Sequence, residues 1–328
     1  MPLFKQSILI QAFVILLAVA ALWWRAIMSP MPMPEPQAGA VLYEVLYSWL
    51  GSMPRLAAII GMLLVIIGGV ALNVVLVNHN LSNQNTLLPT LLYIICMSAQ
   101  GATLTPMVIV SLLMVCCMGE LTIKGPLLTI PPERACAATA LIGLCSMIYL
   151  PSALLIISYM LVAINYSLYS GRDWAVMILG FLAPYLLLAT VLMFTDGLAD
   201  WWQGLADVVA NVHIQSTSVS LLKTAGCIVL AAALVAGLVV VWRRSSDSTM
   251  LWQKNALTLL STLPGGLAIL AVTCLFPIDM QLFALPFSFA VGCLLMPSHR
   301  TSAVGKSRKR EWVFTVILIL IFIAALVC

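Results

Sequence analysis

The feature that most limits how this chain can fold is a succession of apolar stretches, each close to the length of a transmembrane helix. A helix needs about 20 mainly apolar residues to cross the hydrocarbon core of a bilayer. The sequence predicts about eleven such helices. They are residues 7–25, 56–77, 86–99, 104–119, 136–149, 152–168, 174–195, 218–242, 255–275, 282–296 and 312–328.

Four of these stretches are short, and each touches a proline. Irregular or broken backbone at membrane depth is tolerated only where it is buried in protein or lines a cavity. The short stretches are therefore predicted to be broken helices or re-entrant segments inside the protein. They are 86–99, 104–119, 136–149 and 282–296, with Pro89, Pro106, Pro151 and Pro286.

Composition supports a membrane protein and excludes several other classes. Of the 328 residues, 63% are hydrophobic and only 8% are charged, against about 45–50% and about 25% in soluble domains. This excludes a soluble globular protein, a disordered protein and a nucleic-acid binder built on a basic face. We predict one all-α, polytopic integral membrane domain over residues 1–328, in which the nine cysteines are free and apolar in character.

The positive-inside rule gives the predicted orientation. With the N-terminus in the cytoplasm, twelve of the fifteen Lys and Arg residues lie on the cytoplasmic side. The external side then holds two sizeable loops, 26–54 and 196–217. Residues 298–311 form a basic cytoplasmic linker, which we expect to lie beside anionic membrane lipid.

Each external loop contains an amphipathic segment. Prolines 30, 32, 34 and 36 favour an extended strip, and residues 41–50 then become periodic. Leu42, Val45, Leu46, Trp49 and Leu50 share one helical face, while Tyr43, Tyr47 and Trp49 are counted as membrane-surface aromatics. We predict two interfacial helices that lie flat at the outer leaflet, one in each loop.

Three external acids are the candidate catalytic residues. Glu44 lies within the first interfacial helix, Glu35 lies in the same loop, and Asp196 directly follows a spanning helix. A carboxylate at the lip of a membrane cavity would have a raised pKa and could act as a base. The alternative is a solvated carboxylate on the polar face of a surface helix.

No motif predicts a cofactor or a metal site. The sequence has no Walker A, HExxH or GxSxG motif, and its histidines, 79, 213 and 299, are scattered over different loops. Several converging imidazoles would be needed for a non-haem iron oxygenase. No acid lies in the middle of a predicted helix, which argues against a proton-coupled pump.

Residues 1–200 resemble a family of polytopic inner-membrane proteins of Bacteroidota. The resemblance rests on LYEVLYSWL, LNVVLVNHNL, LLPTLLYIICMS, TPMVIVSLLMV, IYLPSALLI, SGRDW and ILGFLAPYLL. It implies a bacterial inner membrane and no particular activity, although some members are labelled beta-carotene monooxygenases. In architecture the chain is also similar to glycosyltransferases that use polyprenyl-phosphate sugars. That likeness implies that Glu35 or Glu44 is a base or metal ligand.

Two functions follow as expectations. The first is a glycosyltransferase-like enzyme that handles a lipid-linked substrate, such as a lipid-linked glycan, at the outer leaflet. The second is a non-catalytic membrane subunit that binds other subunits of a cell-envelope secretion or surface-export complex. An acid-lined cavity between the two interfacial helices would favour the enzyme, and solid packing there would favour the subunit.

Overall fold

All regular structure in the described part of the chain is helical. The structure is a computed structural model. It describes residues 8–37, 39–82, 86–99, 103–123, 129–168, 170–195, 197–210, 221–273, 280–295, 318–319 and 322. Thirteen α-helices fall in these ranges: α1 (Ile8–Met28), α2 (Val41–Leu50), α3 (Pro54–Asn78), α4 (Leu88–Ser98), α5 (Pro106–Leu121), α6 (Pro132–Ile148), α7 (Ile156–Asn165), α8 (Gly171–Phe194), α9 (Leu198–Ala210), α10 (Leu221–Ser245), α11 (Met250–Leu260), α12 (Thr262–Thr273) and α13 (Ala284–Leu295). Short 3₁₀ segments, Leu150–Leu155 and Met280–Phe283, precede α7 and α13.

Five helical segments are long and apolar enough to cross a membrane, judged by length and composition. They are α1, α3, α8, Gly226–Ser245 within α10, and the consecutive α11 and α12. The all-helical fold expected from the sequence is thus confirmed, and the five apolar helices are consistent with a membrane protein. The number of eleven spans stays a prediction, since the other apolar helices have fewer than 18 residues and most of 312–328 lies outside the described residues.

The helix starts follow from local chemistry. Pro54, Pro106 and Pro132 open α3, α5 and α6, where a missing backbone N–H costs nothing and the fixed φ suits a helix. Ser170 and Asp173 form a capping box at the start of α8, each side chain accepting from the other residue's backbone N–H. Prolines in this chain therefore mark where helices begin rather than only where they break.

Two short helices form the centre of the bundle. Every residue of α4 is buried, and in α13 every residue except Leu294 is buried. With 11 and 12 residues they are about 16–18 Å long, well below the roughly 30 Å of a bilayer core. The prediction that the short proline-bounded segments lie inside the protein is confirmed for these two.

These central helices pack side by side and antiparallel. Gln281, just before α13, donates from Nε2 to the carbonyl oxygen of Met97 near the end of α4 (2.9 Å). At the other end, a Cβ built on Gly292, late in α13, would lie 3.8 Å from Cγ of Pro89, early in α4. The N-terminus of each helix therefore lies beside the C-terminus of the other.

Glycines let long outer helices approach this central pair. A Cβ built on Gly68 of α3 would lie 2.7 Å from the phenol oxygen of Tyr93 in α4. One built on Gly237 of α10 would lie 2.6 Å from the carbonyl carbon of Ala290 in α13. Close helix approach through glycine is the usual way to gain packing energy where lipid supplies no hydrophobic drive.

The bundle has two ends with different chemistry. The α2 end carries α2, the start of α3 and the end of α1, and α5 begins there at Pro106. The Arg134 end carries the last residues of α5, the start of α6, and the junction between α10 and α11.

Candidate functional site

The short helix α2 is attached to the rest of the bundle by one tyrosine. Tyr43 is 1% exposed, and its phenol oxygen lies 3.2 Å from the carbonyl oxygens of both Pro34 and Leu104. The phenol has one proton to share between these two acceptors. Burial, followed by the neighbouring Tyr47, raises the pKa of Tyr43, so it remains a neutral donor. The expectation that Tyr43 is a membrane-surface aromatic is wrong, because these contacts draw it inward.

The apolar face predicted for α2 is divided between the bundle and the outside. Leu46 and Leu50 pack against the core, whereas Leu42, Val45 and Trp49 are exposed, Trp49 by 79%. A helix with one face on protein and an exposed apolar edge with a Trp suits the boundary between lipid and water. Its position at one end of the bundle agrees with the interfacial helix expected from the sequence.

The candidate acids of the first loop are exposed. Glu35 and Glu44 both lie on the surface at the α2 end, and in the described part of the chain neither carboxylate joins a hydrogen bond or an ion pair. The two cavities described below are not bordered by either acid. Asp196, the third candidate, lies outside the described residues. The structure therefore leaves the catalytic assignment of these acids as a prediction.

The second amphipathic segment is helical and touches the first loop. It forms α9, which begins at Leu198, and the rest of the predicted loop 211–217 lies outside the described residues. Gly39 adopts φ +85°, and a Cβ built on it would lie 3.6 Å from Cδ1 and 3.8 Å from Cα of Leu205. The turn before α2 therefore lies close beside α9, with space for little more than one methyl group between Gly39 and Leu205.

Aromatic residues continue this packing onto α8. The rings of Trp201 and Tyr185 lie 6.3 Å apart between centroids, and Tyr185 bonds through its hydroxyl to Ser146 of α6 (2.6 Å). Trp202, the next residue of α9, is 64% exposed. The two tryptophans therefore differ in environment: Trp201 packs on the bundle, and Trp202 faces outward.

A buried polar cluster lies beneath α2. Thr105 donates from Oγ1 to Oε1 of Gln281 (2.9 Å), and Tyr93 and Ser111 share a hydrogen bond of 2.8 Å. Together with the bond from Gln281 to Met97, these contacts join the end of α4, the start of α5 and the start of α13. We call Tyr93, Thr105, Ser111 and Gln281 the polar hub.

The hub borders a small cavity. It measures about 20 Å³ and lies among α5, the 3₁₀ segments and α12. Three of its lining residues are polar, Ser111, Thr262 and Gln281, and all are buried. A second, smaller cavity of about 10 Å³ lies between α7 and α8 and includes Asp173. Neither has room for a lipid-linked sugar.

Polar groups at the Arg134 end are used to join segments. Asn255 is fully buried, and its amide pairs with both the N–H and the C=O of Ile123 at 3.0 Å. Its oxygen also accepts from Tyr166 at 3.0 Å. Ile123 lies just after the end of α5, where backbone groups have no partner within the helix. The Asn255 amide supplies hydrogen-bond partners for both of its backbone groups.

Two charged side chains at this end, Arg134 and Lys254, also contact neighbouring segments. Arg134 bonds to Glu120 at 3.0 Å and donates to the carbonyl oxygens of Gly119 and Thr122 at 2.9 and 3.1 Å. Lys254 lies 5.2 Å above the ring of Tyr166, within the usual range of a cation–π contact. Arginine is well placed as a carbonyl ligand at a helix C-terminus, where the backbone dipole is negative.

Most of this polar network was not predicted from the sequence. Asn255 directly follows Gln253 and Lys254. Gln281 lies two residues after Asp279, so both amides lie at the polar edge of a predicted span. An amide at such an edge is nonetheless a usable signal, because once buried it must find partners on another segment. No group of three or more His, Cys, Asp or Glu in the described ranges could hold a metal ion.

No protein family, curated protein or solved structure is detectably similar to this chain. The resemblance to the Bacteroidota inner-membrane proteins therefore remains a prediction from the quoted motifs.

Proposed function

We propose that this chain is a non-catalytic membrane subunit of a bacterial cell-envelope complex, of the kind that serves secretion or surface export. The observation that carries the proposal is the close approach of the turn before α2 to α9, where a Cβ built on Gly39 would already lie in van der Waals contact with Leu205. So narrow a gap leaves little space for a substrate at the place where a cavity was expected, which favours a scaffold.

The exposed charges of the α2 end support the same proposal. Arg25, Glu35, Glu44 and Arg55 are all exposed there. Charges of both signs beside Trp49 form the polar rim and aromatic anchor that protein interfaces favour. The α2 end is therefore the surface that we assign to a partner subunit.

Purification with its native lipids tests this function. The full chain would be expressed at native level in its source organism and crosslinked in intact cells. After extraction in mild detergent, the mass of the complex would be measured by native mass spectrometry. We expect a complex of fixed stoichiometry with at least one other envelope protein. A chain that runs alone, or with scattered substoichiometric proteins, would contradict the proposal.

A glycosyltransferase-like enzyme is the second candidate. It is supported by the exposed carboxylates of Glu35 and Glu44 at a membrane boundary, where a lipid-linked substrate would present its sugar. Glu44→Gln keeps size and hydrogen-bonding atoms but removes the charge. A general base is worth about 10²–10⁴-fold in rate, so complementation of a deletion strain would be lost if Glu44 were the base. Asp247→Asn is the matched control, because Asp247 is an exposed acid at the other end of the bundle.

We also propose an orientation in the membrane. The N-terminus and the Arg134 end lie in the cytoplasm, and the α2 end lies outside. Single cysteines placed at Glu35 and Asp247, both exposed, would be labelled with an impermeant maleimide on a cysteine-free background. We expect Glu35→Cys to react in intact cells and Asp247→Cys only after permeabilisation. The reverse pattern would overturn the orientation.

A further inference from the structure

We propose that the cavity beside the polar hub binds one water molecule, which is part of the native fold and bridges Ser111 to Thr262. The inference is independent of the proposed function. It rests on a count of protons and acceptors around the cavity, together with its size and burial.

The tyrosine–serine pair has a proton to spare. Tyr93 and Ser111 carry one hydroxyl proton each, and they share one hydrogen bond of 2.8 Å. Neither oxygen has another hydrogen-bond partner among the described residues, and both residues are buried. A buried O–H without an acceptor destabilises the folded state. When Tyr93 donates to Ser111, the free proton belongs to Ser111, which lines the cavity.

Thr262 supplies the complementary acceptor. It lines the same cavity and is 3% exposed. Its own proton goes to the carbonyl oxygen of Leu259 at 2.8 Å. A hydroxyl oxygen that has donated its proton still has lone pairs to accept with. A water in the cavity can therefore accept from Ser111 and donate to Thr262.

The size of the cavity selects the ligand. Its volume of about 20 Å³ exceeds the roughly 10–15 Å³ that one water needs and leaves no room for a second. Gln281 borders the same space and is held by Thr105 and Met97. None of the lining residues carries a charge. The guest is thus a single neutral molecule with both a donor and an acceptor.

The site would fasten the centre of the bundle. Ser111 belongs to α5, Thr262 opens α12, and Gln281 directly precedes α13. In the described residues no direct hydrogen bond joins Ser111 to Thr262. A bridging water would connect these elements where the short central helices end and irregular backbone begins, which is where membrane proteins most need internal partners.

The direct test is a map of the full-length protein in nanodiscs at about 2.5 Å resolution or better. We expect one spherical density within hydrogen-bonding distance of Ser111 Oγ and Thr262 Oγ1. An empty cavity would overturn the proposal, and so would an elongated density that belongs to a lipid or detergent hydroxyl.

Thermal stability supplies the second readout. Thr262→Val keeps the side-chain shape but removes the acceptor. The matched control is Thr273→Val, because Thr273 also lies in α12 and donates to the carbonyl oxygen of Ile269 at 2.8 Å without bordering the cavity. We expect the melting temperature to fall about 2–4 °C further for Thr262→Val. Equal falls would contradict a bound water.

Ser111→Ala keeps the proposal testable if Thr262→Val fails to fold. It removes the spare proton while Tyr93 retains its own hydroxyl. The expected result is loss of the density, with the side chains of Thr262 and Gln281 unmoved. Density that persists unchanged in Ser111→Ala would mean that the guest is held by other groups, and the bridge as proposed would be wrong.

Discussion

The two ends of the bundle use their polar side chains in opposite ways. At the Arg134 end, Arg134 and Asn255 are bonded to backbone groups of a neighbouring segment. At the α2 end, helix α2 is attached by the neutral phenol of Tyr43 and the Gln281 amide joins buried segments, while the carboxylates of Glu35 and Glu44 remain exposed. A charged side chain therefore helps to hold the fold together at the Arg134 end, whereas the two candidate carboxylates of the α2 end are available to another molecule.

Because of this difference, substitutions at the Arg134 end should affect stability, and substitutions of the exposed acids at the α2 end should affect function. Removing a bonded polar group at the Arg134 end leaves its buried partners unsatisfied, which lowers stability. Removing an exposed charge at the α2 end leaves no buried partner behind, so stability is preserved. Variants at the two ends should consequently fail in different assays, and the following predictions run from the largest effect on stability to the smallest.

The largest effect is expected from Asn255→Leu. The substitution leaves the N–H of Ile123 and the hydroxyl proton of Tyr166 without their acceptor. It also removes one of the two groups that contact the carbonyl oxygen of Ile123, the other being His79 Nδ1 at 3.1 Å. We therefore expect a loss of about 3 kcal/mol. The matched control is Asn165→Leu, because the Asn165 amide makes one bond, to the carbonyl oxygen of Lys254 at 3.1 Å. Thermal unfolding in detergent measures both. Equal losses of stability in the two variants would show that the additional hydrogen bonds of Asn255 do not contribute more than the single bond of Asn165.

A smaller loss is expected from Arg134→Gln, about 2 kcal/mol. Most of it should come from the two helix-end carbonyls rather than from Glu120, since the ion pair is 32% and 44% exposed on its two sides and exposed pairs contribute about 0.2–1 kcal/mol. A double-mutant cycle with Glu120→Gln measures the pair alone. A coupling above about 2 kcal/mol would contradict this division.

Tyr43→Phe should cost about 1 kcal/mol, since it removes one shared proton from the carbonyl oxygens of Pro34 and Leu104. Tyr47→Phe is the control, because the Tyr47 hydroxyl has no hydrogen-bond partner in the described part of α2 and its surroundings. Hydrogen exchange of the α2 amides locates the effect. If exchange in α2 is equally fast in both variants, Tyr43 is not the attachment point of this helix.

Much of the fold was predictable from hydropathy, and the reasons are physical. Long helices such as α3 and α8 require apolar runs, so their presence is visible in the sequence. The burial of α4 and α13 was also predictable, because a short apolar segment beside a proline has to satisfy its ends within the protein. Hydropathy does not predict which helices pack against each other. That depends on close contacts such as the one between Gly237 of α10 and the backbone of Ala290 in α13.

The candidate site was less predictable than the fold. The sequence predicted Glu35 and Glu44 in an external loop beside an amphipathic helix, and the structure has both exposed at one end of the bundle. It did not reveal that Tyr43 would turn inward, because a tyrosine in an interfacial helix suits either position. The polar hub depends on residues far apart in sequence, such as Thr105 and Gln281, so no local pattern could bring them together.

The most direct test of the account is one measurement on the double variant Glu35→Gln/Glu44→Gln. Native mass spectrometry and thermal unfolding would be carried out on the same purified sample at native expression level. The account predicts a melting temperature within about 1 °C of the wild type together with loss or clear weakening of the partner complex. A complex of unchanged stoichiometry and stability would contradict it, because the carboxylates would then take no part in assembly.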